Sequence, residues 1–245
     1  MRLRVVSYNI HRAIGVDRRF RPDRVGRVIA HHEPDVVLLQ EVDEGVPRSR
    51  ELDLGRTLAE VLGYQYLAIG HNVSLRKGRY GNATLSRFPI VRERNIDLTI
   101  GTRKRRGCQH TRIDLGGGLG VIEAFNLHLG LSAQERRKQI GVLLQSKEMR
   151  RVGAETACVV GGDFNDWRSL LRRPMLHAGF ACATERGRGP ALRTYPSFSP
   201  QGGLDRIYHR GRLELISGRR CRLNLSRVAS DHLPVLADFE VVSAP

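Results

Sequence analysis

The chain reads as an α/β (α+β) protein, and three observations lead there. Apolar runs of strand length alternate with stretches whose apolar residues recur at helical spacing. Four polar islands punctuate the pattern, three of them closing an apolar run: Ser7 to His11, Leu39 to Asp43, Gly161 to Asn165 and Ser230 to His232. A length of 245 residues with 40% hydrophobic content suffices for a substantial core. With no internal repeat, low-complexity segment or linker, residues 1–245 are read as a single domain.

In chain order, Leu3 to Val6 is the first strand candidate. Val25, Val28, Ile29 and His32 follow i, i+3, i+4, i+7 after Pro22, a residue suited to a first helical turn. Val36 to Leu39 is a second strand. Leu54, Leu58, Val61 and Leu62 mark a helix with Asp53 as N-cap and Gly63 as its stop. Strands are expected at Tyr64 to Ile69, Ala83 to Ser86, His110 to Leu115 and Leu119 to Phe125, the last two joined by a hairpin turn at Gly116 to Gly118. Ser132 to Glu135 spells a capping box opening a helix that carries Ile140, Leu143 and Leu144. Ala157 to Val160, Leu213 to Ser217 and Val235 to Val241 complete the strands.

The formal charge is +16, from 41 basic and 25 acidic residues. Only four of the basic residues are lysine, a skew that codon usage in a GC-rich genome produces; the sign of the charge is what carries information. Arginines cluster in loop segments: Arg18, Arg19 and Arg21; Arg76 and Arg79; Arg103, Arg105 and Arg106; Arg168, Arg172 and Arg173; Arg186 and Arg188. A positive rim would attract a polyanion, nucleic acid above all, or an anionic membrane surface. Strand pattern begins almost at Met1, and no apolar run approaches a membrane span, so a cytoplasmic protein is expected. Cys108, Cys158, Cys182 and Cys221 form no C-x-x-C pair and are read as reduced thiols, Cys158 as core filler.

The islands carry the chemistry. An ionised carboxylate at the end of a buried strand is costly unless a cation or hydrogen bonds compensate it. The islands are therefore expected to meet at one sheet edge. Oxygen ligands gathered there with a histidine suit Mg²⁺ and water rather than zinc. Asp163 and Asn165, two apart in an extended stretch, would face the same way and hold one water, with Phe164 turned to the core. The chain reads as a metal-assisted phosphoester hydrolase. No P-loop, dinucleotide fingerprint or serine-nucleophile elbow is present, so no dinucleotide cofactor is expected.

The islands, together with Tyr80 to Ala83, Ser86 to Pro89, Asn126 to His128 and Leu204 to Ile207, resemble the endonuclease/exonuclease/phosphatase superfamily, the deoxyribonuclease I-like fold, from Val5 to about Phe239. The resemblance implies a four-layer α/β-sandwich: two packed, mainly antiparallel β-sheets flanked by helices. It implies Glu41 as principal Mg²⁺ ligand (Mn²⁺ as a substitute), Asn9 beside metal and phosphate, and Asp231 binding or orienting around the metal. Asp163 would orient or deprotonate the attacking water, Asn165 contact the scissile phosphate, and His232 contact the phosphate with Asp205 holding its other ring nitrogen. His128 would donate to a phosphate oxygen, with Asn82, Tyr80 and Arg112 as further substrate contacts. Blander readings stand beside these: a turn residue for Asn9, a salt bridge to Arg206 for Asp205, a structural group for His128, a solvent-facing side chain for Arg112. Gln40 is read as structural, Asp166 and Trp167 as structural or rim. His11 stands where some relatives carry an acid, and its role is open.

Three substrates compete: nucleic acid; a phospholipid headgroup or small phosphoester; or, for a chain that had lost catalysis, a bound nucleic acid only. The intact carboxylates and His232 argue against the last. Relatives that cut at abasic sites carry a tryptophan shortly before the Asp matching Asp205, where this chain has Gln201-Gly202-Gly203-Leu204; its only tryptophan is Trp167. Thr194-Tyr195-Pro196-Ser197 and the segment after it look more like an uncharacterised bacterial branch of the superfamily. A monomeric nuclease is the leading expectation.

Overall fold

The structure, a computed structural model, describes residues 1–185 and 191–242; Arg186 and Arg188 lie outside them. The strands are β1 (Arg2–Asn9), β2 (Val36–Glu44), β3 (Tyr66–Ser74), β4 (Arg79–Ser86), β5 (Ile90–Asp97), β6 (Gly107–Asp114), β7 (Val121–His128), β8 (Ala157–Asp163), β9 (Ala181–Cys182), β10 (Asp205–Arg210), β11 (Leu213–Arg220) and β12 (Val235–Val241). The helices are α1 (Pro22–Ala30), α2 (Leu54–Leu62), α3 (Ala133–Gln145), α4 (Lys147–Arg150), α5 (Arg172–His177) and α6 (Ser226–Ala229), with 3-10 turns at His11–Ala13 and Pro47–Ser49.

They build two six-stranded sheets, ordered β11-β12-β1-β2-β4-β3 and β5-β6-β7-β8-β10-β9. Both follow one plan. A central parallel pair, β1 with β2 and β7 with β8, is flanked on each side by two antiparallel strands. Each parallel pair needs a crossover, and helices supply it: α1 between β1 and β2, α3 and α4 between β7 and β8.

Side-chain alternation divides the core into layers. Leu3, Val5, Val36, Leu38, Ile122, Ala124, Ala157, Val159, Ile207, Val235, Ala237 and Phe239 fill the space between the sheets. The alternate positions Val6, Tyr8, Val37 and Leu39 face Val25, Val28 and Ile29 of α1 and Leu54 and Leu58 of α2. On the far side, Phe125, Leu127, Cys158, Val160 and Tyr208 face Ile140 and Leu143 of α3 and Met175 of α5. The order is helix, sheet, sheet, helix, the four-layer sandwich that the resemblance implied.

The central strands are apolar on both faces because both faces are covered. The weaker elements escaped sequence reading. β5 is largely exposed and charged, β9 has two residues, and β10 begins inside a polar motif. Asp53 caps α2 by accepting from Arg56 N (3.0 Å), and Gly63 ends it at φ +71°. The expected capping box at α3 does not form: Ser132 makes no side-chain cap bond, and Glu135 instead faces Arg103 and Gln139. All four cysteines are free thiols, and Cys158 is fully buried. Among the described residues no helix is long and apolar enough to cross a membrane.

Candidate active site

The duplicated sheet plan explains where the islands go. Asn9 ends β1, the Glu41 segment closes the apolar run of β2, His128 ends β7 and Asp163 ends β8, so all four come from the C-terminal ends of the two parallel pairs. The antiparallel neighbours contribute from their beginnings: Asp205 opens β10, paired in register with Asp163, and Asp231 and His232 immediately precede β12. Parity aims them. Asn9, His128, Asp163 and Asp205 continue the alternation that points between the sheets, so the polar residues cap the apolar layer at one edge of the sandwich. Gly161, on the same face, lets the sheets approach; a Cβ there would lie 2.6 Å from Leu38.

Glu41 has the wrong parity and is corrected by a bulge. The β2–β4 register shifts between Leu39 and Val42, and Glu41 adopts φ +57°. A bulge re-aims a side chain at a local conformational cost, a device common beside functional sites. Glu41 thereby lines a cleft of about 320 Å³ together with Asn9, His128, Asp163, Asn165, Asp231 and His232, walled by Lys104, Arg106, Leu131, Trp167 and Tyr195.

Asp163 is the hub. Its Oδ2 accepts from Asn9 Nδ2 (3.0 Å) and lies 3.5 Å from His128 Nε2 and 3.7 Å from His232 Nε2; its Oδ1 accepts from the Asn165 backbone N–H (2.9 Å). That last bond corrects the extended geometry expected here. Asn165 turns to φ +50°, and its Nδ2 donates to Leu129 O (3.0 Å), while Phe164 is buried as expected. Behind the hub, His232 Nδ1 donates to Asp205 Oδ2 (2.9 Å). Arg206 is not the partner of Asp205. Its guanidinium donates to Asp166 O (3.0 Å) and Ser169 Oγ (2.9 Å) and approaches Glu185 (3.7 Å).

The electrostatics separate the two histidines. Burial pulls the His232 ring toward neutrality, but Asp205, and after it Asp163, outweigh this and push its pKa to about 10. Burial raises Asp163 to about 6 against the attraction of His232. His128 goes the other way: burial, then the positive charges of Arg106 and His232, hold it well below the ordinary histidine range. The site thus holds one imidazolium and one neutral imidazole, and His128 acts as a neutral hydrogen-bonding group rather than a charge.

Two groupings could hold a cation. Asp163, Asp205 and His232 present ligand atoms within 4.8 Å of one another, yet the Nδ1–Asp205 hydrogen bond and the raised His232 pKa make this a proton-bearing line. The second comprises Glu41, Asn9 and Asp231 on the cleft wall. Its donors are hard oxygens, and Glu41 Oε2 is buried without a hydrogen bond, 3.2 Å from Arg12 Nε, itself without one. A carboxylate oxygen on the cleft wall that makes no hydrogen bond fits a hard divalent cation.

His11 acquires a structural role. Its N–H donates to Asn9 Oδ1 (3.1 Å) and its Nδ1 to Ile14 O (2.9 Å), with Asp231 at 3.8 Å. His11, Arg12 and Ala13 all have positive φ, a tight left-handed turn that sets Arg12 against Glu41.

The structure does not bring every expected residue into the cleft. Arg112 lies on β6 away from it, bonded to the buried Glu123 (2.8 Å), which also holds His110. Asn82 is buried between the sheets, donating to Asn126 O (2.9 Å). Tyr80 stands behind the wall, with Lys104 over its ring at 5.4 Å. Of the rim arginines, Arg103 turns to Glu135, Arg21 to Asp23, Arg79 to Glu44 and Arg172 to Glu185. Lys104 and Arg106 line the cleft instead. Lys104 and Leu131 carried no sequence signal, because only the fold brings their loops to this edge, and Tyr195 stood out only within the Thr194-to-Ser197 segment. Gln40 and Asn126 form the polar floor beneath: Gln40 donates to Asn126 Oδ1 (2.8 Å), and Asn126 to Leu39 O and Ala83 O.

A two-sheet sandwich with an Asp–His–Asp line at one edge, flanked by carboxylates and cations, defines a class. The endonuclease/exonuclease/phosphatase family profile matches residues 6–232, and the chain belongs to this family of phosphoester hydrolases. It is 29% identical to the uncharacterised protein YbhP of Escherichia coli over 248 aligned positions, covering 97% of this chain and 96% of that one. Among solved structures it resembles an endonuclease/exonuclease/phosphatase from Beutenbergia cavernae (TM-score 0.81, 23% identity, 100% of this chain and 72% of that one). It also resembles a humanised Danio rerio TDP2 (TM-score 0.74, 19% identity, 98% and 99%).

Proposed function

We propose that the protein is a divalent-metal-dependent phosphodiesterase that hydrolyses nucleic acid. The observation that carries the reading is the line from Asp205 through His232 to Asp163, opening into a cleft walled by Lys104 and Arg106. Asp163, held by Asn9 and the Asn165 amide, orients an attacking water and takes its proton; a pKa raised to about 6 makes it a better base than an ordinary aspartate. His232, kept cationic by Asp205, donates to a phosphate oxygen and stabilises charge that develops there. His128 and Asn165 add neutral donors. Glu41, Asn9 and Asp231 would hold Mg²⁺ or Mn²⁺, which supplies Lewis-acid stabilisation of the phosphate and leaving oxygen.

Chelation with EDTA is expected to abolish turnover while leaving the circular dichroism spectrum unchanged, because no core layer depends on the ion. Substrate class is tested with one panel in Mg²⁺: plasmid DNA, RNA, abasic duplex, phospholipids and phosphoinositides. Preferred turnover of DNA or RNA supports the reading. Preferred turnover of a lipid headgroup or small phosphoester overturns the substrate and keeps the chemistry; activity in excess chelator overturns the chemistry.

A further inference from the structure

Trp167 is the only tryptophan in the chain, and the least explained residue in the cleft. The residue is 53% exposed, unusual for one with so large an apolar surface. It is nonetheless firmly seated. The indole packs against Gly202, where an added Cβ would meet ring atoms at 2.7 Å, and packs edge-on to Tyr195 with centroids 5.8 Å apart. Tyr195 in turn packs on the His232 ring at 4.9 Å. The loop carrying Trp167 is clamped by the buried Arg206, which donates to Asp166 O, Ser169 Oγ and Gly203 O and so ties both sides of the ring's seat together. A glycine that leaves space for an indole from another segment, and a buried arginine that locks that segment, are more than a surface residue needs.

The surroundings indicate what the free face receives. Lys104 and Arg106 make a cationic wall in the same cleft, and Asp163 and His232 mark where the phosphate reacts. Beyond the Trp167 loop, a groove between α3 and α5 is lined by the exposed Arg137 and Arg173, giving a neighbouring phosphate a place to go. Cations for phosphates with a pinned aromatic face between them match a single strand, whose bases stack on aromatic side chains irrespective of sequence.

On the nucleic-acid reading above, we propose that Trp167 is a stacking platform for the base next to the scissile phosphate, restricting the enzyme to base-bearing single-stranded phosphodiesters. A lone, half-exposed tryptophan reports on its own occupancy. The experiment follows the emission of Asp163→Asn protein in Mg²⁺ during titration with a thymidine decanucleotide, an abasic deoxyribose-phosphate chain of the same length, and phosphatidylglycerol vesicles. Saturable quenching by the decanucleotide, with little change on the abasic chain at equal charge, is expected. Active protein carrying Trp167→Ala should lose about tenfold in KM for the decanucleotide, in line with one lost base stack, with kcat changed less. Trp167→Phe should restore most of it. Gly202→Ala, which displaces the ring without touching a charged group, should reproduce the KM defect. Equal quenching by the abasic chain, an unchanged KM in Trp167→Ala, or a blue shift confined to vesicles would overturn the proposal. Hydrolysis of the decanucleotide by unmodified protein separates the two readings: with it, only the platform fails; without it, the nucleic-acid reading fails and the platform with it.

Discussion

Arg12 Nε lies 3.2 Å from Glu41 Oε2, and neither atom makes a hydrogen bond. A guanidinium so placed neutralises the carboxylate that would hold the metal, and competes with it. Replacing Arg12 by Gln should therefore tighten Mg²⁺ binding, by about fivefold, since removing one partly exposed charge is worth roughly 1 kcal/mol. Activity against Mg²⁺ concentration gives the midpoint. An unchanged or weakened midpoint would show that Arg12 does not oppose the ion.

Removing the groups that act on the reacting phosphate should be costly. Asp163→Asn, Glu41→Gln and His232→Ala are each expected to lower kcat by at least about a hundredfold, the usual cost of one transition-state contact. His177→Ala, on the exposed end of α5, and Cys182→Ser should stay near the parent rate. Near-normal turnover in folded His232→Ala would remove the assigned site.

The pH profile follows from the same pair. Asp163 must be ionised to accept a proton, so the rate should rise as pH climbs through about 6. His232 must be protonated, and its raised pKa keeps it so until about pH 10. In Asp205→Asn the largest attraction that offsets the burial of His232 is gone, so the alkaline limb should move toward neutrality. NMR titration of the His232 ring provides a check independent of rate.

Binding to polyanions should depend on Lys104 and Arg106, which line the cleft, more than on Arg103, which is turned to Glu135. Changing Lys104 and Arg106 to Gln should flatten the salt dependence of single-strand binding by about one unit per lost phosphate contact. Arg103→Gln should leave the slope nearly unaltered. Fluorescence anisotropy across a salt series distinguishes them.

Asn126 joins the two sheets below the cleft, donating to Leu39 O and Ala83 O and accepting from Gln40. Asn126→Ala strands buried carbonyls and should cost about 2–4 kcal/mol, read as a lowered urea midpoint. A midpoint equal to the parent's would show that the floor is held by packing alone.

Sequence by itself determined the elements and the chemical vocabulary of this protein. Apolar runs, Pro22, Asp53 and Gly63 located strands and helices because these are local preferences, decided within a few residues. The islands identified the reactive groups, since Asn9, Asp163, Asp205 and His232 are polar where burial forbids it without a partner. Direction and company were decided by the tertiary structure. Asn165 was expected to extend and instead turns to cap Asp163; Glu41 reaches the cleft only through a bulge; Arg112 finds Glu123. His128 and His232 are both buried, but only His232 is bonded to Asp205, so their charge states differ, a contrast no spacing encodes. Trp167, 35 residues before Gly202 in sequence, packs against it. Long-range packing settles such matters, because a side chain's environment comes from segments that local pattern does not connect.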